Sequence, residues 1–156
     1  MRLVFWVGFW TFLLDQVTKY AVVHAMNLRT LGAVDVWPPF LNLRMAWNYG
    51  INFGLLARDS DLVRWGLIMV AFVISGAVIW WVHHEPGGRW QKIAAGLLVG
   101  GAMGNVVDRL LYGAVADFLN MSCCGLDNPY AFNVADIAVF AGALGMVIFS
   151  PGKKAP

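Results

Sequence analysis

The sequence predicts an all-α membrane protein: four transmembrane helices with a small β-sheet and loop region at the outer membrane surface. Three observations carry this. Of 156 residues, 60% are hydrophobic and only 13% charged, far from the balance of soluble domains. Four segments, about 3–26, 62–82, 93–112 and 131–149, approach the roughly 20 residues of helix that cross a bilayer. Between the first two, Leu41, Leu43, Met45 and Trp47 alternate with Asn42, Arg44, Ala46 and Asn48, the period of a strand with one apolar face. The length suits a single domain, 1–156. A net charge of +2 with no basic run excludes a nucleic-acid footprint. The only cysteines, Cys123 and Cys124, are adjacent and suit neither a disulfide scaffold nor a zinc site.

The first segment opens with one basic residue and an apolar run, as a signal peptide does. Asp15 and Lys19 interrupt it, apolar character resumes at AVVHAM, and no small-x-small cleavage site follows, so it reads as a retained span. In the loop 27–61, Val34 to Trp37 is the expected partner of the strand at 41–48, with Pro38 and Pro39 at the turn. A lone hairpin is marginal in water, but lipid and helix ends would cover its apolar face. The second span is the cleanest, with Arg64 only at its edge. The third is apolar or small from Ile93 to Gly104 and then carries Asn105, Asp108 and Arg109, which must find partners. Gly96, Gly100 and Gly104 recur every four residues along it, a packing ridge that admits a close neighbour. After the loop 113–130, the fourth span bears Asn133 and Asp136 near its start and is otherwise apolar.

Lys and Arg in the flanks set the orientation. With an even number of spans, Arg2, Arg89, Lys92, Lys153 and Lys154 share one side within 19 positions, against Arg29, Arg44 and Arg58 in the 53 positions of the other. Both ends are therefore expected in the cytoplasm. Trp6, Trp65, Trp80, Trp81, Trp90, Tyr112 and Tyr130 fall near span ends, where amphipathic rings favour the interface.

Charges inside a bilayer cost roughly 2.5–3.5 kcal/mol each on insertion scales, so each is expected to face a partner or a polar cavity. Asp15 and Lys19, four apart, share a helical face and read as an ion pair that lowers insertion cost, pins the outer loop, or both. Asp108 and Arg109 point apart, and Arg109 suits a carboxylate or a substrate main chain. Asn133 and Asp136 are neighbours on one face. Asp136 is either a structural acid bonded to Asn105 or backbone, or a functional one. Asp117, in VADFLN just beyond the third span, would alone be a solvated loop acid. The short connection favours adjacent outer ends for the third and fourth spans, which lets Asp117 and Asp136 meet at one depth. Acids that close share one proton. One then acts as base toward a water and the other as acid toward a carbonyl oxygen, the arrangement of aspartic proteolysis. Asp108 and Asp127 have no reacting role in this reading. His24, His83 and His84 form no metal pattern, and no spacing supports a dyad of Lys19 with Ser60 or Ser122. No metal or cofactor is expected.

Five motifs follow one another across nearly the whole chain: Asp15-Gln-Val-Thr-Lys19, FLNL with Asn48-Tyr-Gly50-Ile-Asn-Phe-Gly54, GGAMGNVVDR from Gly100 to Arg109, Val115-Ala-Asp-Phe118, and Phe132-Asn-Val-Ala-Asp136. In this order they resemble the lipoprotein signal peptidase (signal peptidase II) family of bacterial aspartic proteases. The resemblance implies that Asp117 and Asp136 are catalytic. It also implies that Asp15, Lys19, Asn48, Gly50, Gly101, Asn105, Arg109, Asn133 and Ala135 bind substrate or support the site. The implied reaction is removal of a prolipoprotein signal peptide just before a cysteine carrying diacylglycerol. The expected setting is a monomer in the bacterial inner (cytoplasmic) membrane, in contact with membrane lipid. Segments 27–61 and 113–130 would be periplasmic, with the site near that face. The chain departs from the pattern at Asn52, where the family has Ala, and in the MSCCGLDNPYA insert. Gly50 and Gly54 would permit the outer loop to move.

Two other classes accommodate buried acids. A small transporter or proton relay would carry internal repeats and helices broken at mid-membrane, whereas these acids gather toward the outer ends. In a non-catalytic assembly subunit, acid-to-amide changes would reduce stability rather than an activity.

Overall fold

The computed structural model describes residues 1–50, 61–85, 87–123, 125 and 128–150. Of the residues singled out above, Asn52, Gly54, Arg58, Ser60, Cys124, Asp127, Lys153 and Lys154 lie outside the described residues. Helix α1 (Arg2–Lys19) continues through a π-helical segment, Tyr20–Ala25, to the single turn α2 (Leu28–Leu31). Strands β1 (Ala33–Trp37) and β2 (Leu41–Asn48) precede helices α3 (Asp61–His84) and α4 (Arg89–Tyr112), then strand β3 (Val115–Asn120) and helix α5 (Val134–Phe149).

The other helices gather on α4, which packs most extensively against α5 and α1 and less against α3. Side-chain size explains this. A methyl group added at Gly96 would meet Val7 and the Val4 carbonyl, one at Gly100 would meet Gly8 and Thr11, and one at Gly104 would meet the Asp15 carboxylate. The glycine ridge therefore faces α1 along its whole length. Gly101 instead faces α5, where a methyl group would sit 2.5 Å from the Ala135 carbonyl oxygen. Helix α5 reciprocates with Gly142 and Gly145 against Ala94 and Leu98. Backbones brought this close gain packing that lipid cannot match.

Two apolar clusters close the ends of the bundle. Val4, Val82, Ala94, Ala95 and Met146 tie all four long helices together at one end. At the other, Val23, Leu28, Leu43, Ala116 and Phe118 lie between the helix ends and the sheet. That sheet is antiparallel in the order β1-β2-β3. The expected hairpin is present, with Pro38 and Pro39 between its strands. The segment 113–130, expected as a loop, contributes the third strand. Because β3 is buried on both faces, its residues show no alternation for a sequence reading to find.

Helices α3 and α4 have the length and composition of a bilayer crossing. The other two expected spans do not meet that measure. Helix α1 carries Arg2, Asp15 and Lys19 within 18 residues, and α5 has only 16 residues because Asn133, in extended conformation, caps its start.

Candidate active site

The polar groups converge where α1, α4 and α5 end beneath the sheet. The capping of α5 fixes the first of them. Asn133 Oδ1 accepts the Asp136 N–H at 2.9 Å, and Asp136 Oδ2 accepts the Asn133 N–H at 3.2 Å, so each residue satisfies a donor at the helix start. The same Asn133 donates from Nδ2 to Asp117 Oδ1 at 2.7 Å. One asparagine thus holds an acid from the helix and an acid from β3. Asp117 accepts a second bond on Oδ2 from Asn48 Nδ2 at 3.1 Å, from the neighbouring strand. Asp136 accepts a second on Oδ1 from Asn105 Nδ2 at 2.9 Å, from α4.

Asp117 is 2% exposed. Burial, then the charge of Asp136, push its carboxyl from the usual 3.8 up to about 7, against the lowering effect of Asn48, Lys19 and Asn133. Asp136 also forms part of the wall of a cavity of about 390 Å³, lined elsewhere by apolar groups including Phe132, Ile137 and Phe140, and by Tyr130 and Asn128. A polar group set in an apolar wall is the usual make-up of a ligand cleft.

Behind this pair lies a fully partnered ionic cluster. Lys19 Nζ sits 2.8 Å from Asp15 Oδ2, 2.8 Å from Asp108 Oδ2 and 3.2 Å from Asn105 Oδ1, which uses its three donors. Asp15 Oδ1 accepts the Ala135 N–H at 2.9 Å, fixing the first turn of α5 against α1. Asp108 Oδ2 accepts the Ala116 N–H at 3.1 Å, fixing β3 one residue before Asp117. Gln16 Nε2 spans Asp15 and Asp108 at 3.1 and 3.2 Å. Arg109 turns the other way and donates to the Gly50 carbonyl at 2.9 Å, in the field of Asp136, Asp117 and Asp108. Gly50 in turn gives its N–H to Asn48 Oδ1 at 3.1 Å.

Every one of the eleven expected site residues falls in or against this cluster. Gly101 and Ala135 contribute by being small where α4 meets α5. The ion pair expected of Asp15 and Lys19 forms, and so does the Asn105 bond expected of Asp136. The solvated position that Asp117 would have alone does not occur. Sequence reasoning missed Gln16 and the anchoring part of Asp108. A signal for Asp108 was available, since it continues the 96, 100, 104 ridge by one more step of four and so faces α1.

A mostly helical fold with bilayer-length helices that gathers buried acids and amides beside an apolar cleft has the build of a membrane enzyme. A bacterial membrane enzyme solved by the in meso method at 2.3 Å shares it, with TM-score 0.81 and 28% identity over 95% of this chain and 87% of that one. The family model described as signal peptidase (SPase) II matches residues 7–151. A lipoprotein signal peptidase of Alteromonas mediterranea is 38% identical over 96% of this chain and 81% of its own. One from Aeromonas hydrophila subsp. hydrophila is 40% identical over 96% and 89%. The chain belongs to the signal peptidase II family, and the resemblance read from its five motifs is correct.

Proposed function

We propose that the chain is an aspartic endopeptidase that removes signal peptides from diacylglyceryl-modified prolipoproteins, cutting before the lipid-modified cysteine with a water activated by Asp117 and Asp136. The observation that carries this reading is Asn133, bonded to both acids at once. A carboxyl with pKa near 7 beside a second acid keeps one shared proton at neutral pH, and burial favours Asp117 as its holder. Asp136 takes a proton from the water as its oxygen attacks the scissile carbonyl carbon, while Asp117 gives its proton to the carbonyl oxygen. Collapse of the tetrahedral species returns the Asp117 proton, and Asp136 passes its own to the leaving nitrogen. The remaining site residues orient this pair: Asn48, Asn105 and Asn133 by bonds to the carboxylates, and Asp15 and Lys19 by tying α1 to α5 and α4. Arg109 and Gly50 hold the end of β2 over the site. The apolar cleft beside Asp136 suits a substrate presented from lipid.

The setting proposed with it is a single domain, 1–156, with four spans, both ends cytoplasmic, and 27–61 and 113–130 on the periplasmic side of the bacterial inner membrane. The enzyme would act as a monomer in contact with lipid. The paired acids of α1 and α4 support the two polar spans, since Lys19 neutralises Asp15 and Asp108 internally. Family membership weighs against the transporter and assembly readings.

The test is incubation of the purified chain with lipidated and unlipidated forms of one precursor, and mass analysis of the products. The lipidated form should be cut before its modified cysteine and the unlipidated form left intact. Equal cutting of both, or cutting elsewhere, contradicts the proposal.

A further inference from the structure

We infer that the face of the bundle away from the acids binds one anionic phospholipid, its acyl chain in an apolar groove between α1, α3 and α4 and its phosphate on the basic ends of those helices. The inference rests on the proposed membrane topology. It is independent of the cleavage chemistry.

The groove has a volume of about 450 Å³, and its walls include Phe5, Phe9 and Phe12 of α1, Ile79 of α3, and Val99 and Met103 of α4. Its floor is the crossing of α1 and α4 at Gly8 and Gly100, where the two backbones touch. Helix α3 leaves the space open because it leans on the bundle along one line. Its buried residues, Ile68, Ser75 and Val82, recur at intervals of seven, and its other faces carry exposed apolar side chains. From Met1 to Phe12 the groove follows roughly 16 Å of helix at about 1.5 Å per residue, close to half of a ~30 Å hydrocarbon core. That is the depth of one lipid layer.

The rim selects the headgroup. The Val4, Val82, Ala94 and Ala95 cluster brings the start of α1, the end of α3 and the start of α4 to one level. Arg2, His83, His84, Arg89 and Lys92 lie at that level, against Glu85, which accepts the Trp81 indole N–H. Among the described residues, Arg2, Arg89 and Lys92 enter no ion pair. Basic groups over an apolar slot between helices fit a phosphate headgroup with its chain below.

A substrate signal helix is a poorer occupant. On α4, Val99 and Met103 lie about 120–160° around the helix from Asn105, at roughly 100° per residue, so the groove opens away from the side that holds Asp136.

The experiment is native mass spectrometry of the full chain in mild detergent with phosphatidylglycerol or phosphatidylcholine added. One phosphatidylglycerol should be retained roughly 30-fold better than phosphatidylcholine, as two basic contacts would give. Val99→Trp and Met103→Trp, which fill the groove, should lose the adduct. The double variant Arg89→Gln, Lys92→Gln keeps the groove and should lower phosphatidylglycerol to the phosphatidylcholine level. Should the tryptophan variants not fold, this charge variant carries the test alone. Undiminished adducts in the folded tryptophan variants, or no preference between lipids in the wild type, overturn the inference. Asp136→Asn should retain the lipid fully, so a failure of the protease proposal is read separately from a failure of this one.

Discussion

Helices α3 and α4 have the same length, 24 residues, and both could cross a bilayer, yet they are built for opposite surroundings. Of the most apolar stretch of each, 17% is buried in α3 and 56% in α4. Helix α3 is mostly apolar and leaves most of its surface exposed. Helix α4 gives up apolar content for glycines that admit two neighbours, for Asn105 and Asp108, which those neighbours bind, and for Arg109, which reaches the Gly50 carbonyl. The lesson is that the less hydrophobic of two spans is the one that organises the protein. Its polar groups are tolerable only where helix approach is closest.

This contrast can be broken by substitution. The largest effect is expected at Lys19, the cation between Asp15 and Asp108. Lys19→Met leaves two buried acids without a counter-charge and should cost about 3–5 kcal/mol, read from unfolding in detergent, with loss of cleavage. On α3, Asp61 pairs with Arg64 at 3.7 Å in solvent, so Asp61→Asn should leave both measurements unchanged. An equal loss from the two substitutions would remove the distinction between the helices.

Glycine substitutions come next. Gly104→Ala drives a methyl group into the Asp15 carboxylate and should destabilise by about 1–3 kcal/mol or more. At Gly76 on α3 an added Cβ meets nothing within 4 Å. Gly76→Ala should therefore be neutral or stabilise by up to about 1 kcal/mol, through helix propensity alone.

The pH dependence sharpens the account at the site. The Asp117 carboxyl titrates near 7 when folded and near 3.8 otherwise, so the folded state holds the extra proton between those values. Stability should fall as pH rises from about 4 to 7, by no more than about 4 kcal/mol, and stay low above. Asp117→Asn should flatten that slope. Turnover in the wild type should decline as pH rises through about 7 and the shared proton is lost. The smallest effect is expected at the exposed Cys123. Cys123→Ser should change stability by less than about 0.5 kcal/mol and leave turnover intact.

What was legible in the sequence follows the same contrast. The apolar segments could be read because lipid imposes composition directly, and the hairpin because one of its faces is apolar. The third strand could not, since VADFLN is buried on both sides and has no period to betray it. Asp117 consequently looks like a loop acid until Asn133 and Asn48 are seen to hold it. Apolar composition starts the fourth span at 131, whereas Asn133 and Asp136 form a capping pair that begins the helix at Val134. The partner of Asp108 depended on which helix lies against the glycine ridge, which only the fold decides.

The central claim is that Asp117 and Asp136 react as a pair, and the most direct measurement is turnover of a lipidated precursor by Asp117→Asn and Asp136→Asn, each with its unfolding curve at pH 8. Cleavage should fall at least ~10³-fold in both, from loss of acid and base roles of about 10²–10⁴ each, with both proteins folded and Asp117→Asn no less stable than the wild type. Either variant turning over at a tenth of the wild-type rate or faster, or losing activity only because it has unfolded, would contradict it.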